Sequence, residues 1–164
     1  MKEFQFKISF FSGVLGIISV FTPVIFHVNP NEVYHFWLWG FTLFLGLNSN
    51  EIGSYYHTET DILIPGYISI ILILISSVLI LYVTLKGKRT QQFIAKYCII
   101  GGIMMIASSL FLIISWQIIS VIVMGYPTFW GENNFRPNIA IFLQFIAGTL
   151  VLVSTILSRK TRKI

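Results

Sequence analysis

Four long apolar runs, separated by polar segments, dominate the sequence. Each has about 20 residues or more, and a helix of that length crosses the roughly 30 Å hydrocarbon core of a bilayer. The pattern predicts an all-α membrane protein, a single four-transmembrane domain over residues 1–164 that folds as an antiparallel four-helix bundle. The predicted spans cover residues 8–28, 66–85, 97–124 and 138–157.

Three prolines lie at or near the ends of these spans. Pro23 lies within the first apolar run, so we expect a kink near the end of that helix. Pro65 and Pro137 are expected to lie just before their helices, where a missing N–H costs nothing.

The segments that join the spans on one side are unequal, with a larger first loop at 29–65 and a smaller second loop at 125–137. The first loop contains an aromatic-rich run, 36–47, that is too short to span a bilayer and is interrupted by Gly40 and Gly46. Such a run suits a strand pair or a segment lying at the membrane interface. The predicted fold therefore has room for a small β-hairpin or sheet in the first outer loop.

Small and amide side chains mark the predicted contacts between helices. Membrane helices associate by close backbone approach and by polar contacts, because lipid tails are as apolar as leucine. The alternative is that serine and glycine are simply common in membrane helices. The residues predicted to pack are Ser9, Ser12, Gly13, Gly16, Gly101, Ser108, Gln117 and Gln144.

Composition and charge give the orientation. Hydrophobic residues make up 55% of the chain and charged residues 10%, against roughly 25% charged residues in a soluble domain. Ten of the 11 Lys and Arg residues lie at the two ends and in the segment between the second and third spans. Loops that retain Lys and Arg face the cytoplasm, so we expect a multi-pass cell-membrane protein with cytoplasmic N- and C-termini. The excess of Lys and Arg over Asp and Glu then follows from this topology. The expected partner is the lipid bilayer, and the charge gives no reason to expect nucleic acid.

Candidate chemistry is sparse, and we expect no catalytic residues, no cofactor and no metal. The predicted spans contain no Asp, Glu, Lys or Arg, and their one histidine, His27, lies at a span boundary, whereas ion and proton pathways usually require such groups. His57, Glu59 and Asp61 alternate and would share one face of an extended segment, but a zinc site needs three or four well-supported ligands. We interpret this stretch as a solvated loop.

The outer aromatic residues are the candidate interaction residues. They lie in segments that include Trp37, Trp39, Gly40 and Phe41 in the first loop and Trp130 in the second, and the three tryptophans are expected to form an aromatic cap over the helices. The alternative is ordinary anchoring at the interface, which tryptophan favours in any membrane protein.

Arg136 is the only fixed positive charge of the outer segments. We expect it to pair with an outer carboxylate such as Glu132, and a phosphate or headgroup contact is the alternative. An exposed ion pair contributes only about 0 to 1 kcal/mol to stability, so its main role would be to orient the outer loops relative to each other.

This architecture resembles the claudin and peripheral myelin protein 22 type of tetraspan protein. That family's first loop carries a tryptophan, a Gly-Leu-Trp signature and a cysteine pair. Here Trp37-Leu38-Trp39-Gly40 supplies similar residues in a different order, and the cysteines are absent. The resemblance implies a small outer β-sheet on a four-helix bundle and association side by side or across cells.

The leading hypothesis is a non-enzymatic membrane protein that mediates claudin-like membrane organisation or lateral or adhesive association, as a homo-oligomer or with other membrane proteins. The alternative is an accessory subunit of a larger membrane enzyme or transporter. A third reading is an enzyme or transporter for lipophilic substrates, acting through Gln117, Gln144 and the outer aromatic residues.

Overall fold

The computed structural model describes residues 3–47, 51–56, 60–90, 95–124 and 135–160. Within these residues the helices are α1 (Glu3–Phe21), α2 (Thr60–Thr90), α3 (Ala95–Met124) and α4 (Ile139–Lys160). The strands are β1 (Ile25–Val28), β2 (Glu32–Phe36), β3 (Phe41–Gly46), β4 (Ile52–Tyr56) and β5 (Phe135–Pro137). All 4 helices are long and apolar enough to cross a membrane, which confirms the prediction of four apolar helices of membrane-spanning length.

The predicted first span, 8–28, is corrected at both ends. Helix α1 begins at Glu3 and ends at Phe21, and residues Ile25–Val28 form a strand. Proline has no N–H to donate to a helix, and it disfavours helical conformation in the residue before it. Pro23 therefore ends the helix, and the expected kink does not occur.

Helix α2 also begins earlier than predicted. It starts at Thr60, so Pro65 lies inside the helix and not before it. The third and fourth helices begin and end within three residues of their predicted spans, and Pro137 closes β5 just before α4, as expected.

The helices contact one another in a cycle, since α1 and α3 each pack against both α2 and α4. Their backbones approach closely at glycines. A Cβ atom on Gly148 would lie 2.8 Å from the Gly102 carbonyl oxygen, and one on Gly13 would lie 2.6 Å from Leu81 Cγ. Close approach of this kind lets helices gain van der Waals contact where lipid offers no hydrophobic driving force.

The strands form one antiparallel sheet with the order β4-β3-β2-β1-β5. Only β2, β3 and β4 come from the predicted first outer loop. Strand β1 comes from the end of the first apolar run, and β5 comes from the end of the second loop. A buried core joins the sheet to one end of the helices, which we call the sheet end, through Val24 and Ile25 together with Val20, Ile73, Leu112 and Ile141.

Candidate interaction surface on the sheet

A tight turn at residues 37–40 joins β2 to β3. The Trp37 N–H donates to the Phe41 carbonyl at 2.9 Å, and the Gly40 N–H donates to the Trp37 carbonyl at 3.1 Å. Gly40 has a φ of 84°, in the left-handed region that side chains disfavour. Trp37 and Phe41 therefore form the closing pair, and residues 38–40 are a three-residue hairpin loop with glycine at the last position.

Leu38 at the tip of this loop plugs the sheet end of the helices. Its side chain is only 3% exposed and belongs to a core that includes residues from all the helices: Val20 from α1, Ile73 from α2, Leu112 from α3, and Ala140 and Ile141 from α4.

Gly66 in α2 lets this hairpin loop come close to the helix. A Cβ atom there would lie 2.1 Å from the Leu38 carbonyl oxygen. The absence of a side chain at this position is therefore a condition for the plug.

Aromatic rings surround the plug at the hairpin end of the sheet. Trp39 stacks on Phe41 with centroids 5.4 Å apart and an interplanar angle of 11°, and Phe41 lies 5.3 Å from Tyr56 and 5.2 Å from Trp37. The Trp37 Nε1–H donates to the carbonyl of Phe21, the last residue of α1, at 2.9 Å. This bond satisfies a carbonyl that the helix itself leaves without a donor. We call Trp37, Trp39, Phe41 and Tyr56 the aromatic cluster.

Backbone hydrogen bonds tie the start of α4 to the residues just before β1. The Asn138 N–H donates to the Val24 carbonyl at 2.8 Å, and the Ala140 N–H donates to the Pro23 carbonyl at 3.2 Å. The Asn138 side chain also lies 3.3 Å from His35 Nδ1 in β2. The hairpin plug and this junction fix the sheet on the helices at two places.

One face of the sheet rests on the helix ends. The register places Ile25, Phe36 and Thr42 in one row, and Ile25 and Thr42 are fully buried. The Phe36 ring lies 6.5 Å from the Trp116 ring of α3, edge to face.

Tyr34 shares this helix-facing side, and its hydroxyl donates to the Glu32 carboxylate. That hydrogen bond is the main reason that the pKa of Tyr34 is raised above its usual value, and desolvation of the hydroxyl raises it further.

The opposite face, which we call the distal face, is mostly apolar. In an antiparallel sheet the residues between those of the helix-facing rows point to the other side. At β4, the edge strand of the described sheet, Ile52 is 73% exposed and Tyr56 is 63% exposed. By register the distal face comprises Phe26, Val28, Val33, His35, Phe41, Leu43, Leu45, Ile52, Ser54, Tyr56 and Arg136.

Comparison with known proteins adds no relative to this picture. No family model and no curated protein match the chain. The distal face and the aromatic cluster are therefore interpreted from their own geometry.

The structure brings together most of the predicted interaction residues. Trp37, Trp39, Gly40 and Phe41 lie in or beside the hairpin loop. Arg136 lies on β5, opposite Phe26 of β1, and therefore at the other edge of the sheet. Trp130 and the expected partner Glu132 lie outside the described residues, as do His57 and Glu59.

The predicted packing residues lie mainly between helices. Gly13 and Gly16 of α1 face Ser77 of α2, and Gly101 of α3 faces Ile80 and the Ser76 carbonyl. Ser9 and Ser12 are fully buried in α1.

Polar side chains connect the same helices. The Ser108 hydroxyl donates to the Ser69 carbonyl at 3.2 Å, and the Ser109 hydroxyl lies 2.9 Å from Gln144 Oε1. Gln144 is fully buried, and its Nε2 has no hydrogen-bond partner among the described residues. Gln117 is half-buried beside Trp116.

Sequence reasoning missed Leu38, Gly66 and the β4 residues. The only local signal for Leu38 was an apolar residue between two tryptophans in a turn, where polar residues are usual. For β4, the signal was the short run Ile52 to Tyr56 between polar segments.

Proposed function

We propose that this chain is a non-enzymatic integral membrane protein that associates with a second copy of itself through strand β4, at one edge of the distal face of its sheet. In this proposal the four helices span the membrane as a bundle, the sheet lies outside, and both termini are cytoplasmic. The charge distribution supports this orientation. Lys7, Lys86, Arg89 and Lys96 lie at the helix ends far from the sheet, whereas Glu32 lies within it.

The observation that carries the proposal is the apolar character of the distal face at β4. Contiguous exposed apolar surface on a part of the molecule that faces water is typical of interaction sites. An edge strand also presents backbone N–H and C=O groups that can pair with another chain. Ile52 and Tyr56 combine both properties, since they are exposed and lie on the edge strand.

The claudin-like resemblance supports the same function at the level of architecture. It implies a small sheet on four apolar helices and association through that sheet. This chain lacks the family's cysteine pair, and its single Cys98 is buried in α3. The Leu38 plug and the Trp37 hydrogen bond to α1 supply a non-covalent attachment of the hairpin.

A double substitution on β4 tests the proposal. We expect Ile52→Glu with Tyr56→Glu to convert an oligomer to monomers, because the substitution places negative charges at the proposed contact. Single-molecule photobleaching in nanodiscs measures the copy number. Val28→Glu is the matched control, since Val28 is an exposed apolar residue of the distal face that lies on β1, away from β4.

Two results would contradict self-association through β4. One is an unchanged copy number in the double variant. The other is a wild-type monomer that copurifies from native membranes with a defined complex, which would favour the accessory-subunit alternative.

A further inference from the structure

The helix ends far from the sheet, which we call the basic end, carry several cations in different surroundings. Lys7 forms an ion pair with Glu3 at 2.8 Å. Lys88 Nζ lies 4.4 Å from the Phe6 ring centroid, and Lys96 Nζ lies 4.9 Å from that of Tyr97. These three cations are thus engaged with an acid or an aromatic ring of the protein.

Lys86 and Arg89 both line an open cavity along α2, and Lys86 Nζ also lies 5.6 Å from the Tyr82 ring centroid. The cavity has a volume of about 500 Å³, and its described lining is Tyr82, Leu85, Lys86 and Arg89. This volume lies within the range of about 300–1,000 Å³ that is typical of small-molecule sites. Spacings of three and four place all these residues on one face of the helix.

An apolar stripe continues from the cavity along the same face of α2. Ile75, Val78, Tyr82 and Leu85 follow one another at spacings of three and four, and all are exposed. From Ile75 to Arg89 the helix rises about 21 Å, which exceeds the roughly 15 Å of one leaflet's hydrocarbon. We call the cavity together with this exposed stripe the groove. It has two cations at one end, and the exposed apolar stripe of α2 forms its floor.

We propose that this groove binds one anionic phospholipid from the leaflet at the basic end. The phosphate lies between Lys86 and Arg89, and an acyl chain lies along Leu85, Tyr82 and Val78. The guanidinium matches a phosphate with two parallel N–H donors, and the ammonium adds a point charge. The proposal requires that the helices span a membrane, but it is independent of association through the sheet.

Native mass spectrometry of the detergent-solubilised protein tests this site with phosphatidylglycerol and phosphatidylcholine of identical acyl chains. We expect the wild type to bind one phosphatidylglycerol in preference to phosphatidylcholine. Each cation contributes about fivefold in affinity, so Lys86→Gln with Arg89→Gln should weaken phosphatidylglycerol binding by about 25-fold and abolish the preference.

Lys88→Gln with Lys96→Gln is the matched control, because it removes the same charge from the same end but outside the described cavity lining. We expect this variant to stay within about threefold of the wild type, since separated surface charges are strongly screened. Equal losses in the two double variants, or equal binding of the two lipids, would overturn the proposal. Displacement of the lipid by excess inorganic phosphate would also overturn it, because the apolar floor would then contribute nothing.

Discussion

The Leu38 plug can be tested by removing most of its side chain. Leu38 is 3% exposed and contacts a core drawn from all four helices. Leu38→Ala removes buried methyl groups and leaves a cavity, and such changes cost about 2–5 kcal/mol. We expect the free energy of unfolding to fall by about 3 kcal/mol, because the hairpin loop can partly relax into the cavity. In a chain of this size about 3 kcal/mol lowers the Tm by about 6–12 °C.

Thermal unfolding in detergent, followed by intrinsic tryptophan fluorescence, measures this shift. Leu47→Ala is the matched control, because Leu47 follows the same β3 strand but is 57% exposed. Exposed substitutions usually change stability by less than about 0.5 kcal/mol, so the Tm of the control should stay within about 2 °C of the wild type. Equal shifts in the two variants would refute the idea that the hairpin tip is anchored among the helices.

Three further substitutions test other contacts within the helices and the sheet by the same unfolding measurement. Gly66→Ala should destabilise the protein because its Cβ would lie 2.1 Å from a backbone carbonyl of the hairpin tip, and an unchanged Tm would contradict that contact. Gln144→Met should change the free energy of unfolding by less than about 1 kcal/mol. The variant loses the hydrogen bond from Ser109 to Gln144, but it also removes the buried Nε2 donor, which has no partner among the described residues. A loss of several kcal/mol would show that Nε2 has a partner. Tyr34 has a raised pKa because its hydroxyl donates to a carboxylate, so its contribution to stability is present below the ordinary phenol pKa of 10.0 and is lost as the pH rises through the raised value. Tyr34→Phe should remove that alkaline loss from the profile of Tm against pH, and an identical profile in the variant would contradict the bond.

The helices could be predicted from the sequence because hydropathy over about 20 residues reports apolar surface directly. The same signal failed at the end of α1. Val24 and Ile25 are as apolar as lipid-facing residues, yet they are buried in the core between the sheet and the helices. Hydropathy does not distinguish a residue that faces lipid from one that faces a protein core, so the predicted first span, 8–28, runs through strand β1. Pro23 was the local signal that the helix ends.

The sheet could be predicted only in part, because its pairing is long-range. Strand β5 pairs with β1 across more than 100 residues of sequence, and nothing in the sequence around Arg136 indicates that partner. The position of Leu38 has the same origin, since its neighbours belong to helices that are far apart along the chain. Local patterns gave the aromatic run and its glycines, but they did not show which of its side chains enters the core.

Labelling of single cysteines in intact cells tests the orientation on which the proposed function depends. In a Cys98→Ser background, Val28→Cys places a thiol at an exposed position of β1, away from the proposed β4 contact, and Lys96→Cys places one at the basic end. We expect a membrane-impermeant maleimide to label position 28 in intact cells and position 96 only after permeabilisation. Labelling of position 96 in intact cells, with position 28 protected until permeabilisation, would contradict a sheet that lies outside the membrane.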